Sequence, residues 1–201
     1  QNIGAYGVEV KDSIVKVVAV STADGSKKIF KNYECGFDYR NSVFKKELKG
    51  KFFITRVYFR LKKTPSYKLD YGSLNEEVDK LGGPSLINVR NAVISIRRKK
   101  LPDPAVTGNA GSFFRNPVVS DDLVTKQLKD HPDMPVYEDL SGGKKIPAGW
   151  LIEQCGWKGK RVGNAGVHEK QALVLVNYGR ASGRDIYKLS EKIRESVLKK
   201  F

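Results

Sequence analysis

The sequence predicts an α+β fold. Strand patterns near the start of the chain, a series of capped helical patterns after them, and no internal repeat or low-complexity tract together point to that class. Residues 14–21 alternate apolar and polar side chains, Asp24-Gly25 signals a turn, and residues 27–31 resume the pattern, which reads as a hairpin. Residues 51–61 are rich in Phe, Ile, Val and Tyr and read as another strand. Residues 64–72 read as a boundary loop. Ser73-Leu-Asn-Glu76 has the form of a capping box, and Gly82-Gly83-Pro84 stops the short helix it opens. Ser85 is expected to cap the next helix, with Leu86, Val89, Val93 and Ile96 on one face and Leu101-Pro-Asp-Pro104 as its end. Ser120 opens another helix, where Asp121 and Asp122 complement the N-terminal dipole. Residues 150–155 read as helix ending at Gly156, and residues 172–177 as a buried strand. Ser182 with Asp185 caps the last helix, whose buried stripe is Ile186, Leu189, Ile193 and Val197.

Composition narrows the function. Of 201 residues, 40% are hydrophobic, enough for a packed core and too many for a disordered chain. No apolar run reaches bilayer length and no signal peptide opens the chain, so a membrane partner is not expected. Cys35 and Cys155 are too few for a disulfide framework, which favours a reducing, cytoplasmic setting. With His131 and His168 they show no metal-ligand spacing, and no metal is expected. The net charge of +15 suits an anionic partner or a solvated basic surface. A nucleic-acid module fits poorly, because aromatic and basic residues do not alternate on a strand and no ribonucleoprotein or helix-turn-helix signature is present. The run Arg97-Arg98-Lys99-Lys100 is different in kind, since it stands just before the chain's most informative stretch.

That stretch is residues 108–117, Gly-Asn-Ala-Gly-Ser-Phe-Phe-Arg-Asn-Pro. It reads as a tight turn presenting the Ser112 hydroxyl, with glycines that let backbone approach a ligand. Phe113 and Phe114 can keep water out, and Arg115 and Asn116 can meet anions. A hydrolase nucleophile is a poor reading, because no Gly-x-Ser-x-Gly elbow surrounds Ser112. By itself, a serine in such a turn is more often a backbone hydrogen-bonding residue.

The stretch resembles the serine signature of the UDP-N-acetylenolpyruvoylglucosamine reductase (MurB) family. Residues 1–10, Gln-Asn-Ile-Gly-Ala-Tyr-Gly-Val-Glu-Val, resemble the end of that family's flavin-binding region. Residues 37–45, Phe-Asp-Tyr-Arg-Asn-Ser-Val-Phe-Lys, resemble its arginine segment, and residues 148–177 its substrate-domain core. The similarity implies retained strands of a split FAD-binding domain over residues 1–63 and a mixed α/β substrate-binding domain over 72–201. It further implies that the chain lacks most of the flavin-binding domain and a later strand bearing a catalytic glutamate. As an isolated piece it would then be inactive.

The resemblance implies FAD-mediated, NADPH-dependent reduction of UDP-N-acetylglucosamine enolpyruvate to UDP-N-acetylmuramate, a cytoplasmic step of peptidoglycan biosynthesis. Reduction at the β-carbon leaves negative charge spread from the α-carbon onto the substrate carboxylate, so the site needs a cation at the carboxylate and an acid at the α-carbon. Arg40 matches the family arginine, whose planar fork suits a carboxylate, and Ser112 matches the proton donor. Tyr71, in Asp-Tyr-Gly, matches a tyrosine that closes over the substrate nucleotide. Lys100 and Asn116 match diphosphate contacts, and Lys145 and Gln171 further substrate contacts. Asn2, Ile3, Gly4 and Ala5 match the retained flavin cradle, with Arg97 a weaker candidate for it.

Overall fold

A computed structural model describes residues 2–139 and 142–201. Gln1, first residue of the flavin-like stretch, lies outside that range. The chain divides into two compact units, Gln1–Ile96 and Arg97–Phe201.

In the first unit, β1 (Gly4–Ala5) and β2 (Val8–Glu9) form a minimal antiparallel hairpin with Gly4 opposite Glu9. Tyr6 and Gly7 connect them, both with positive φ, 51° and 74°. β3 (Ile14–Ser21), β4 (Lys27–Lys31) and β5 (Phe52–Phe59) make an antiparallel sheet in the order β4-β3-β5, in agreement with the two strand predictions. The β3–β4 turn is closed by the Asp24 carboxylate, which accepts from the Ser26 amide at 3.0 Å and the Ser26 hydroxyl at 2.8 Å, while Gly25 supplies a φ of 71°. One face of the sheet buries Ile14, Val17, Ala19 and Phe30 with Cys35, and the Phe44 and Phe52 rings meet Phe30 edge-on at 5.1 and 5.2 Å.

Two helices complete this unit, α1 (Leu74–Asp79) and α2 (Leu86–Lys100), the second running past Ile96. The capping box expected at Ser73 does not form. Its backbone, at φ −91° and ψ 17°, departs from the extended conformation of a cap, and its hydroxyl makes no capping bond. Ser85 does cap α2, accepting from the Asn88 amide at 3.1 Å. Of the face expected on α2, Val89, Val93 and Ile96 pack on the core and Leu86 is exposed, while Ala92 joins Ile96, Leu74 and Val78 in the cluster. Tyr6 and Leu69 pack on this cluster, which brings them together with α1 and α2.

The second unit contains β6 (Gly108–Ser112), β7 (Val118–Val119), α3 (Asp121–Asp130), β8 (Tyr137–Glu138), β9 (Lys144–Lys145), α4 (Ala148–Gln154), β10 (Arg161–Val162), β11 (Ala165–Val167), β12 (Val174–Asn177) and α5 (Gly183–Lys200). One sheet runs β10-β11-β12-β6 and another β7-β9-β8. With neighbours on both sides, β12 is an unbroken buried run, Val174-Leu175-Val176. α5 covers this sheet with Leu189 and Ile193, against Ile152, Trp157, Val167 and Leu175. Its capping box forms as expected, with Ser182 and Asp185 exchanging side-chain-to-backbone bonds of 3.2 and 2.9 Å. Ser120 likewise caps α3. A second cluster, Val124, Met134, Ile146 and Leu151, packs α3 against α4. The mixture of helix and antiparallel sheet is the α+β class that was expected. Among the described residues, no helix is long and apolar enough to cross a membrane.

Candidate functional site

In the first unit the arginine segment and the flavin-like segment meet through one bond. Arg40 Nη2 donates to the Gly4 carbonyl at 2.8 Å across 36 residues of sequence. The Arg40 backbone is left-handed, φ 52°, which costs a non-glycine residue on the order of 1–3 kcal/mol. Local bonds hold it there: the Asn41 amide donates to the Asp38 carbonyl at 3.0 Å, and Lys45 Nζ donates to the Arg40 carbonyl at 3.0 Å. One hydrogen bond uses a fraction of the five guanidinium donors, leaving the rest able to face an anion.

Asn2 is 1% exposed and ties the same region together. Its amide donates to the Asn41 carbonyl at 3.3 Å, and its Oδ1 accepts from the Lys11 amide at 3.1 Å. Among the described residues, Asn2 Nδ2 and Ser42 Oγ are buried with no partner at hydrogen-bonding distance. Buried polar atoms in this state usually mark a bound group or water. Nearby, the Lys11 ammonium, 2.7 Å from Glu9, holds the Glu9 carboxyl below the usual carboxylate range. Ile3 is exposed, and a Cβ on Gly4 would come within 3.2 Å of Glu9 Cγ. Tyr71 is also exposed, its ring meeting Tyr6 edge-on at 5.7 Å.

In the second unit, the motif around Ser112 is a strand and not the tight turn expected. Gly108 and Asn109 pair with Asn177 and Val176 of β12, and Ser112 stands opposite Val174 past a register shift. The turn character is confined to Gly111, φ 73°, whose amide donates to Asn109 Oδ1 at 3.0 Å. Ser112 therefore sits at the exposed end of a strand whose partner is buried. Its hydroxyl has no hydrogen bond among the described residues, and the Phe113 amide anchors the next step to the Leu173 carbonyl at 2.7 Å. Gly111, Ala110 and Asn109 share an open pocket of about 790 Å³ with Arg97, Arg98 and Pro102, within the size range of small-molecule sites. Lys100 lies at the exposed end of α2.

Three further site residues gather around the start of α4. Asn116 Oδ1 accepts from the Ala148 amide at 3.0 Å, which commits its oxygen and leaves its NH₂ as donor. Gln171 Oε1 lies beside Gly149, 3.7 Å from where a Cβ there would stand, and accepts from the Leu173 amide at 3.3 Å. Lys145, in β9, is held by the nearly buried carboxylate of Asp139. Asn109 and Asp139 escaped the sequence reading. Asn109 carried a local signal, since asparagine readily bonds the amide two residues on, whereas Asp139 became meaningful only once its chain segment came back to Lys145. The histidines have structural settings: His131 packs on Phe201 at 4.9 Å, and His168 Nδ1 accepts from the Lys170 amide at 3.3 Å. Burial pushes the His168 pKa below the ordinary imidazole value.

Residues 103–201, the span holding Ser112, Asn116, Lys145 and Gln171, match the family model described as UDP-N-acetylenolpyruvoylglucosamine reductase, C-terminal domain. The whole chain aligns with the protein of that name from Bacteroides fragilis, 51% identical over 201 residues. Along its whole length the chain is similar to the UDP-N-acetylenolpyruvoylglucosamine reductases. The enzyme of the same name from Chromobacterium violaceum is 48% identical over 204 residues, again covering all of this chain. The chain spans 60% of the length of these curated relatives. A crystal structure of the family's enzyme from Thermus caldophilus matches with a TM-score of 0.60 at 25% identity, over 96% of this chain and 53% of that one.

Proposed function

We propose that the chain supplies the carboxylate-binding arginine, the proton donor and the substrate-binding core of a whole UDP-N-acetylenolpyruvoylglucosamine reductase, a cytoplasmic oxidoreductase of peptidoglycan biosynthesis. The substrate is UDP-N-acetylglucosamine enolpyruvate and the product UDP-N-acetylmuramate. The observation that supports this reading is the Arg40–Gly4 bond, which joins the arginine segment to the segment that resembles the flavin cradle.

FAD, replenished by NADPH, supplies a hydride when bound. Asn2, Ile3, Gly4 and Ala5 would hold it, with Arg97 a weaker contributor, and the unpartnered Asn2 Nδ2 fits a cradle whose polar partner is a bound group. Arg40 binds the substrate carboxylate and stabilises the negative charge that develops there, with no reorganisation because its backbone is already locked. Ser112 Oγ, with no hydrogen bond among the described residues, gives its proton to the α-carbon. Arg97 and Arg98, lining the pocket beside Gly111, supply the positive field that a serine needs to act as an acid. Asn116, oriented by its bond to Ala148, offers its NH₂ to the diphosphate, with Lys100 as a mobile cation. Tyr71 covers the nucleotide. Lys145 and Gln171 line the substrate side, with Lys145 sharing its charge with Asp139.

The test is Arg40→Lys in a full-length protein carrying this chain, followed by stopped-flow absorbance of the flavin. Oxidation of reduced flavin by the enolpyruvyl substrate should slow by about tenfold or more, the scale of a lost charge-assisted bond. Reduction by NADPH should be nearly unaffected. Equal slowing of both half-reactions would reduce Arg40 to a structural residue.

A further inference from the structure

Tyr6 occupies a position that its side chain makes unfavourable. The two-residue connection of the β1–β2 hairpin needs positive φ at both positions, a requirement that Asn-Gly or Gly-Gly meets at little cost. Here the first position is a tyrosine with φ 51°. A bulky residue in this region is an outlier, and such strain persists where the surroundings use the side chain. The structure shows the use. The Tyr6 ring packs on the cluster of Leu74, Val78, Ala92 and Ile96 and presents itself to Tyr71, centroids 5.7 Å apart and planes at 70°. Tyr71 is otherwise 59% exposed, and its carbonyl accepts from the Leu74 amide at 3.2 Å, at the start of α1.

We propose that Tyr6 is a positioning residue for Tyr71: the strained hairpin tip carries the ring that fixes the nucleotide-covering tyrosine. This rests on the assignment of Tyr71 to the substrate made above. The hairpin that ends in Tyr6 also contains Gly4, the acceptor of the Arg40 bond. One small element therefore sets both the arginine and the tyrosine. An exposed ring without that support would lose rotamer freedom on each binding event, and pre-ordering it lowers that cost.

The experiment uses the full-length flavin-loaded protein and four variants: Tyr6→Asn, Tyr6→Phe, Tyr71→Ala and the Tyr6→Asn/Tyr71→Ala double. Asparagine relaxes the turn while removing the ring. Tyr6→Asn should raise KM for the enolpyruvyl substrate roughly 2- to 12-fold, the range of an aromatic pair, with kcat and flavin content little changed. Tyr6→Phe keeps the ring and should keep KM. In the Tyr71→Ala background, Tyr6→Asn should have no further effect. An unchanged KM in Tyr6→Asn, or the same increase with and without Tyr71, overturns the proposal. Should Tyr6→Asn fail to fold, Tyr6→Leu, which preserves apolar packing on α1 and α2, is read by the same criteria. If Tyr71→Ala leaves KM unaltered, the substrate assignment of Tyr71 fails as well. If Tyr71→Ala raises KM but Tyr6→Asn does not, the positioning role alone fails.

Discussion

Three site residues of the first unit and Ser112 of the second are held in opposite ways. In the first, Arg40 and Tyr6 sit on left-handed backbone, and Asn2 is buried with a polar atom unpartnered. Each of these residues is also a structural tie: Arg40 to Gly4, Asn2 to Lys11 and Asn41, Tyr6 to the α1–α2 cluster. In the second, Ser112 is set out by backbone pairing with β12 past a register shift, and its hydroxyl makes no hydrogen bond among the described residues. Function and stability are thus entangled at Arg40, Asn2 and Tyr6 and separable at Ser112. The physical root is the number of regular backbone bonds nearby. A four-stranded sheet positions a residue without help from its side chain, whereas short bridges and tight turns must recruit side chains to do so.

The sharpest use of that contrast is Ser112→Ala in the full-length protein. Product formation should fall by about 10²–10⁴-fold, the usual loss of a positioned general acid, while the melting temperature stays put. Solvent deuterium incorporated into the product at the normal rate would make Ser112 a bystander. Asn2→Ala should do the reverse in the first unit, lowering both stability and flavin content. Loss of a buried amide whose backbone partner is left unpaired costs about 1–3 kcal/mol, readable by urea unfolding. An unfolding midpoint unmoved by this change would break the contrast.

Within the second unit the core should be the stability reservoir. Ile193→Ala, at a fully buried position against Leu189 and Val167, should cost about 2–5 kcal/mol. Asn116→Ala removes the acceptor for the Ala148 amide and should cost about 1 kcal/mol, with a separate rise in substrate KM from the lost donor. A stability loss with no KM change would leave Asn116 as a cap alone.

The smallest effect is in pH. Burial favours the neutral His168 imidazole, and Nδ1 accepts a bond that protonation would remove. Its folded pKa lies below the unfolded one, so its contribution is present above the ordinary imidazole value of 6.5 and fades as pH falls through the lower folded value. The urea midpoint should drift down on acidification, and His168→Gln should flatten that drift. A midpoint that drifts equally in both proteins places the titration elsewhere.

Strands β3, β4 and β5 and the capped helices α3 and α5 were legible because their signals are local: alternation, turn chemistry and caps within a few residues. The short bridges β7 to β11 were not, since two- or three-residue strands are defined by their partners. The same limit misread residues 108–112. Four glycine or small residues look like a turn until β12 pairs with them. At Ser73 the box residues were present, but its own backbone is not in the extended conformation of a cap. Motif similarity singled out Arg40, Ser112 and Tyr71, but not the left-handed backbone of Arg40 or the strand setting of Ser112.

By itself the sequence determined the class, the positions of the long strands and capped helices, and which residue types could manage a carboxylate and a proton. Those follow from side-chain chemistry and from periodicities that each segment carries alone. Only the tertiary structure decided that Arg40 reaches Gly4, that Lys145 is engaged by Asp139, that Asn116 spends its oxygen on α4 and that Tyr6 supports Tyr71. Each of those partners lies between 6 and 65 residues away along the chain. A contact at such a distance comes from folding the whole unit, because no local preference encodes which distant group will fill a given donor or pack against a given ring.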